Sequence, residues 1–395
     1  MSGKIGLYKS LYYSIILYIL STMSQDLIPG IPLNRISFFF VFVSSVLILF
    51  IQKEKYAYIF LSLIFMDLVF VHLIYDVSGH LLDYIYFVAA ISFLLFIKSK
   101  TRRQRLLKEF LRHDNINKIV ITISILLTII ALITKAGYRY SWGGGSYFVG
   151  FSTLTHVAAS SMCLVGALML LVYCQQKFSV FVMTGLLVLT YGIFETGART
   201  YIVPAAILIY LYINKSMKNK NFKFFIYAFV GLAVIIILSK SSIISKFIFT
   251  NSTDAYNNIS GIAQQTSGRS VFWVIDLKGY LEGDLFGKIF GYGHDYVYYL
   301  NKTQYNLEVW AHNDFIQSLV GGGLLTLYIY VYSVLKCIKS TLSNNSFVEK
   351  ICLYIYWLFP AIFNGFYNYI HYFLSFVILV LLFELFSSSG TAKCR

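Results

Sequence analysis

Three short stretches hold the residues best suited to chemistry: Thr196-Gly197-Ala198-Arg199-Thr200, Ser267-Gly268-Arg269-Ser270 and Ala311-His312-Asn313-Asp314. A guanidinium is a planar fork that meets phosphate oxygens two at a time, which lysine does not do. An imidazole titrates close enough to neutrality to take a proton from a hydroxyl. Arg199, Arg269 and His312 together therefore describe a site for an anionic, phosphate-bearing substrate, with a base beside it. Each residue has a plainer alternative. Arg199 can reach to lipid headgroups, Arg269 can pair with Asp276 or Glu282, and His312 can be a headgroup contact.

Local sequence sharpens these readings. Arg199 opens an apolar run in which Gly197 can turn the chain and Pro204 sits near the first turn, where proline is tolerated. A guanidinium at a helix N-terminus is unfavourable unless an anion joins it, because the peptide dipoles already present positive charge there. The same dipole disfavours imidazolium at His312, so a neutral ring is expected, with Asn313 and Asp314 available to cap the helix. After Arg269, Trp273, Leu277, Tyr280 and Leu281 recur at helical spacing, which predicts a helix lying flat on the membrane or the bundle. Further candidate substrate contacts are Arg139, in a glycine-rich aromatic link, and Trp273, His294, Asn313 and Asp314. His294-Asp295 lacks a third ligand at suitable spacing, so no metal is expected. No Walker loop, Rossmann fingerprint, Gly-x-Ser-x-Gly or His-Glu-x-x-His is present, so no cofactor is implied.

The elements that must position these residues are membrane helices. A chain of 395 residues that is 58% hydrophobic and 12% charged, with mean hydropathy +0.70, cannot bury its apolar surface in water-soluble domains. Its net charge of +15 would suggest nucleic acid in a soluble protein, but here the basic residues sit in short links between apolar runs. Nucleic acid is thus not an expected partner, whereas membrane lipids are. A ruler of about 20 residues per bilayer crossing gives about twelve spans: 7–24, 36–51, 56–75, 81–97, 118–135, 151–173, 179–194, 200–213, 222–239, 312–335, 351–367 and 371–387. The expected fold class is all-α: one polytopic domain, 1–395, with a large external loop at 240–311. The first run follows Lys4 and Lys9 without a cleavage site, and is read as an uncleaved helix.

Orientation follows from lysine and arginine. The link from Lys98 to Lys118 holds eight of them, which places it and both termini in the cytoplasm. Arg139, Arg199, Arg269 and His312 then face the opposite side. Asp67 and Glu384 would be costly facing lipid and are expected to point into the bundle, and Gly321-Gly322-Gly323 is expected to permit close helix packing.

Taken in order, Thr196-Gly197-Ala198-Arg199-Thr200, Ser267-Gly268-Arg269 with Trp273, Gly291-Tyr292-Gly293, Ala311-His312-Asn313-Asp314 and Gly321-Gly322-Gly323-Leu324-Leu325 resemble the pattern of the O-antigen polymerase and ligase superfamily. Ala198 departs from the serine often found there. The resemblance spans roughly residues 135–330. It implies a metal-independent, membrane-embedded C-type glycosyltransferase in the bacterial inner membrane, acting at the periplasmic face on undecaprenyl-pyrophosphate-linked oligosaccharides. It further implies that Arg199 and Arg269 hold the donor pyrophosphate and that His312 activates the acceptor hydroxyl. A Wzy-type polymerase joining repeat units is favoured over a ligase that moves finished chains to lipid A core, because a large loop suits recognition of one particular sugar unit. A polymerase admits a chain-length regulator protein as partner. A flippase or other transporter would need charges along a central pathway, whereas these gather at one surface.

Overall fold

The computed structural model describes residues 2–28, 30–75, 81–142, 145–152, 155–174, 179–240, 269–342 and 346–391. The first part of the expected external loop, 241–268, and Gly143-Gly144 lie outside the described residues. What is described is nearly all α-helix: α1 (Ser2–Met23), α2 (Leu33–Ile51), α3 (Lys55–Tyr75), α4 (Leu81–Ile97), α5 (Lys100–Arg112), α6 (Asp114–Ile133), α7 (His156–Cys174), α8 (Val180–Glu195), α9 (Ile202–Ser216) and α10 (Lys220–Lys240). After residue 268 follow α11 (Arg269–Glu282), α12 (Leu285–Phe290), α13 (His294–Tyr305), α14 (Asp314–Thr341), α15 (Phe347–Phe363) and α16 (Ile370–Thr391).

Each of the twelve apolar stretches contains a helix, because each is an unbroken run of residues that bury well and offer the backbone no competing partner. Five described helices, α2, α6, α7, α14 and α16, are long and apolar enough to cross a membrane, or six if a bent pair counts as one. At the centre α7 packs against α16, and nine-tenths of each apolar window is buried. Such helices are apolar all round because they face protein on every side.

Three features depart from the expectation. The glycine-rich link at 138–148 departs from all-α: β1 (Tyr138–Trp142) pairs antiparallel with β2 (Gly145–Phe148), with Tyr138 opposite Phe148 and Tyr140 opposite Tyr147. The basic link after Lys98 is largely helix α5, bent 96° from α4. Leu281 points outward at 67% exposure; only Trp273, Leu277 and Tyr280 face inward, where they join Tyr292, Val297, Ala311, Ile316 and Val320 in a small second core. That core seats α11–α13 on the first half of α14.

The glycines at 321–323 do more than allow close approach. Helix α14 breaks at Gly323 (φ 67°, ψ −172°), in a region that disfavours residues with a Cβ. Just before the break, the Val320 and Gly321 carbonyls accept from Tyr292 N (3.0 Å) and Gly293 N (2.8 Å), so the Gly291-Tyr292-Gly293 turn docks by backbone alone. A Cβ at Gly323 would collide with the Ile289 carbonyl. Gly323→Ala is expected to cost about 1–3 kcal/mol. Gly231→Ala in α10, where nothing stands within 4 Å, is expected to be neutral or slightly stabilising. Thermal unfolding of the two purified variants checks this contrast in sign.

Candidate functional site

The links between helices fall into two groups by their contacts. In one, the hydroxyl of Tyr138 donates to Glu195 Oε2 (2.6 Å), the Asp26 amide donates to the Phe151 carbonyl (2.9 Å), and Asn364 Nδ2 donates to the Tyr201 hydroxyl (3.1 Å). In the other, Arg102 pairs with Glu54 (2.9 Å), Arg103 with Glu384 (3.0 Å) and Lys215 with Glu349. Arg199, Arg269 and His312 all belong to the first group.

Arg269 begins α11, and its guanidinium donates to the Phe363 carbonyl at the end of α15. It lies within electrostatic reach of Tyr201 and Tyr369. Neither acid proposed as its partner is one: Glu282 pairs with Lys278 (3.8 Å), and Asp276 accepts from Asn301 Nδ2 (3.2 Å). Burial pulls the Arg269 pKa below the ordinary arginine range, yet an arginine stays charged. A partly buried cation with no carboxylate at salt-bridge distance among the described residues is the main electrostatic feature of this end of the protein.

His312 stands ahead of α14, which begins only at Asp314. Its φ of +50° puts a bulky residue in the left-handed region, a local strain of order 1 kcal/mol. The ring packs against Trp310, centroids 4.6 Å apart, and its Nδ1 makes no hydrogen bond among the described residues. Burial first, then the Arg269 charge, then His156, push its pKa well below the usual histidine range. The neutral ring expected from the helix dipole is thus favoured by two stronger causes. Trp273 helps to fix this segment, since its Nε1 donates to the Ala311 carbonyl (2.7 Å).

Arg199 opens a single 3-10 turn, Arg199–Tyr201, that leads into α9. It reaches the cluster through β2: burial raises the Tyr147 phenol pKa while the Arg199 charge opposes it, and the Tyr147 ring lies 6.4 Å from that of His156. His156 opens α7 and acts in turn on His312. The first turn of α7 is tied to the Arg199 stretch by Ser160 Oγ and Thr196 Oγ1 at 2.6 Å. Sequence reading missed His156, Tyr147, Tyr201 and Tyr369; none has a motif, and each enters the site through a distant partner.

The other candidates have structural work. Arg139 pairs with Asp26 and donates to the Gly150 carbonyl (2.7 Å), pinning the hairpin to the turn after α1. Asn313 caps α14, accepting from Phe315 N (2.9 Å) and Ile316 N (3.1 Å). Asp314 does not share that cap. It faces the core, where its Oδ2 accepts from Phe366 N (2.7 Å), Tyr367 N (3.1 Å) and the Tyr330 hydroxyl (3.1 Å), folding the 364–369 loop over the site. His294 is 6% exposed and wedged against Gly321, and burial lowers its pKa to about 4. It is a neutral core histidine that acts on the site only through Gln317, whose Oε1 accepts from Ala311 N (3.2 Å).

Asp276 also titrates abnormally, raised by burial from an ordinary 3.8 to about 8. Among the described residues its Oδ2 and Asn301 Oδ1 make no hydrogen bond, and the protonated acid gains a donor that the carboxylate lacks. A raised carboxyl pKa means stability that is full below the unfolded value and falls as pH climbs toward the folded one. Melting temperature is therefore expected to fall from about pH 4 toward pH 8 in the native protein. Asp276→Asn should flatten that slope.

No family model matches this chain, and no curated protein matches it in sequence. The site combines an arginine with no acidic partner among the described residues, a strained neutral imidazole, a second arginine reached through Tyr147 and His156, and a loop of aromatic and amide side chains.

Proposed function

We propose that this protein is a membrane-embedded polysaccharide polymerase, joining polyprenyl-pyrophosphate-linked oligosaccharides at the external face of a bacterial inner membrane. The single observation that carries the reading is Arg269 beside His312, a cation lacking an acid among the described residues next to a base that cannot easily be protonated. A diphosphate supplies the missing negative charge. In the reaction the acceptor hydroxyl oxygen bonds to the donor's anomeric carbon as that carbon's bond to the pyrophosphate oxygen breaks. The leaving group departs as polyprenyl pyrophosphate, and the hydroxyl proton passes to the His312 ring. Imidazolium beside Arg269 would be unfavourable alone, but it forms as negative charge grows on the leaving diphosphate, so the two changes offset each other. Positioning supplies the rest.

The proposed topology has twelve spans, both termini cytoplasmic and residues 240–311 external. Its support is the division of the links into two contact groups that match the two sides read from lysine and arginine. The exposed apolar belts of α2, α3 and α10, including Phe39, Phe65 and Phe225, give lipid a surface to meet.

The test is transfer by purified full-length protein supplied with one lipid-linked repeat unit, resolved by product length. A ladder of longer lipid-linked products is expected. No extension would overturn the reading, and transfer onto lipid A core alone would replace polymerase with ligase. Within the same assay Arg199→Lys and Arg269→Lys are each expected to lose about 10-fold or more, since a point charge does not replace the bidentate fork. Full activity of either lysine variant would remove that arginine from the donor site.

A further inference from the structure

The loop between α15 and α16 adds something the arginines and histidine do not explain. Asn364 is 1% exposed, and its Nδ2 donates to the Tyr201 hydroxyl (3.1 Å), but its Oδ1 makes no hydrogen bond among the described residues. Four residues on, both amide atoms of Asn368 are shielded from solvent and also make none. Buried amide atoms are nearly always paired, and leaving one unpaired costs about 1–3 kcal/mol. Two such amides on one short loop therefore point to a polar ligand. The loop's position says where that ligand lies. Phe363, just before Asn364, accepts from Arg269, and Tyr369 is within electrostatic reach of the same guanidinium. Trp310 packs on Tyr369, centroids 5.7 Å apart, and on His312. Gly365 (φ 139°) lets the loop cross close over the Trp310 ring, where any Cβ would collide.

Amides that donate and accept, set beside flat aromatic faces, suit a ligand with neighbouring hydroxyls and apolar C–H faces, which is a sugar ring. We propose that Asn364 and Asn368, with Trp310 and Tyr369, form the subsite for the sugar nearest the reacting carbon, placing its hydroxyls beside His312 and its phosphate beside Arg269. The loop is held there from behind by Asp314, so the subsite is built before substrate arrives. This proposal rests on the donor reading above and specifies which residues read the glycan rather than the diphosphate.

The test compares two probes on the full-length protein in nanodiscs: polyprenyl pyrophosphate alone, and the lipid-linked repeat unit extracted from source cells that lack this protein. Native protein is expected to bind the glycosylated probe about 10–100-fold more tightly than the bare one, the value of one or two well-made amide contacts. Asn368→Ala and Asn364→Ala should each cut that ratio by about 10-fold while leaving affinity for the bare probe unchanged, which also shows that the variants fold. Arg269→Lys should weaken both probes together. If both asparagine variants keep the native ratio, the sugar subsite is overturned while the pyrophosphate site stands. If native protein binds neither probe, the donor reading falls and takes this proposal with it.

Discussion

Replacing His312 by alanine is expected to lower glycosyl transfer by about 10²–10⁴-fold, the usual worth of a general base, while affinity for polyprenyl pyrophosphate stays near native. The separation follows from the geometry. The Arg269 charge, proposed to meet the phosphate, belongs to a different element and donates to Phe363 rather than to the histidine. The pH profile carries a second signature. Burial and the Arg269 charge hold the imidazole well below its usual pKa, so the base form persists in acid. Transfer by the native protein is therefore expected to continue below pH ~6.5, where an ordinary histidine would protonate, and to fail only further down. A second variant controls for backbone strain. His312 occupies a positive φ of 50°, where glycine avoids the strain that alanine keeps, so His312→Gly should be more stable than His312→Ala by about 1 kcal/mol and equally inactive. Native turnover in either variant would end the base assignment.

Much of this architecture is legible without coordinates, for a definite reason. In a membrane protein an unbroken apolar run becomes a helix, since the alternative that satisfies its backbone in lipid, a closed β-barrel, uses alternating apolar and polar residues, so the twelve runs mark their own helices. Arg199, Arg269 and His312 are grouped in the sequence because alternation along the expected spans would put their links on one side. Periodicity also found the inward face of α11, but it ran one residue too far: Leu281 follows Tyr280 directly, so the two point different ways and only Tyr280 meets the second core. What stayed hidden depends on partners far along the chain. Asn364 and Tyr201 are separated by 163 positions, and Asp314 grips amides 52 and 53 positions away. The break at Gly323 was hidden differently: three glycines say that the backbone is free, not that the turn at Gly291-Tyr292-Gly293 uses the freedom.

The largest gap between sequence and structure concerns Arg103, and it yields the strongest stability prediction. Counting lysines and arginines treats the Lys98–Lys118 link as a solvated marker of orientation, but Arg103 is 1% exposed and Glu384 3%. Arg103 Nε meets Glu384 Oε2 at 3.0 Å, while its terminal nitrogens donate to the carbonyls of Ile97 (2.8 Å), Lys98 (3.0 Å) and Ser340 (3.0 Å). Those carbonyls close the ends of α4 and α14, where the helix dipoles favour a cation. One guanidinium thus joins α4, α5, α14 and α16 at the end of the bundle opposite His312. Arg103→Met is expected to destabilise by about 3–5 kcal/mol, because it strands the Glu384 charge and the helix-end carbonyls together. Glu384→Gln should cost less, since the arginine keeps its carbonyls and the amide oxygen can still accept. The double variant Arg103→Met/Glu384→Leu should fall between them: it removes the stranded charge but leaves the carbonyls unmet. Denaturation of the three purified proteins gives the order. If Arg103→Met proves no worse than Glu384→Gln, the carbonyl contacts contribute nothing, and the bend between α4 and α5 is held by apolar packing instead.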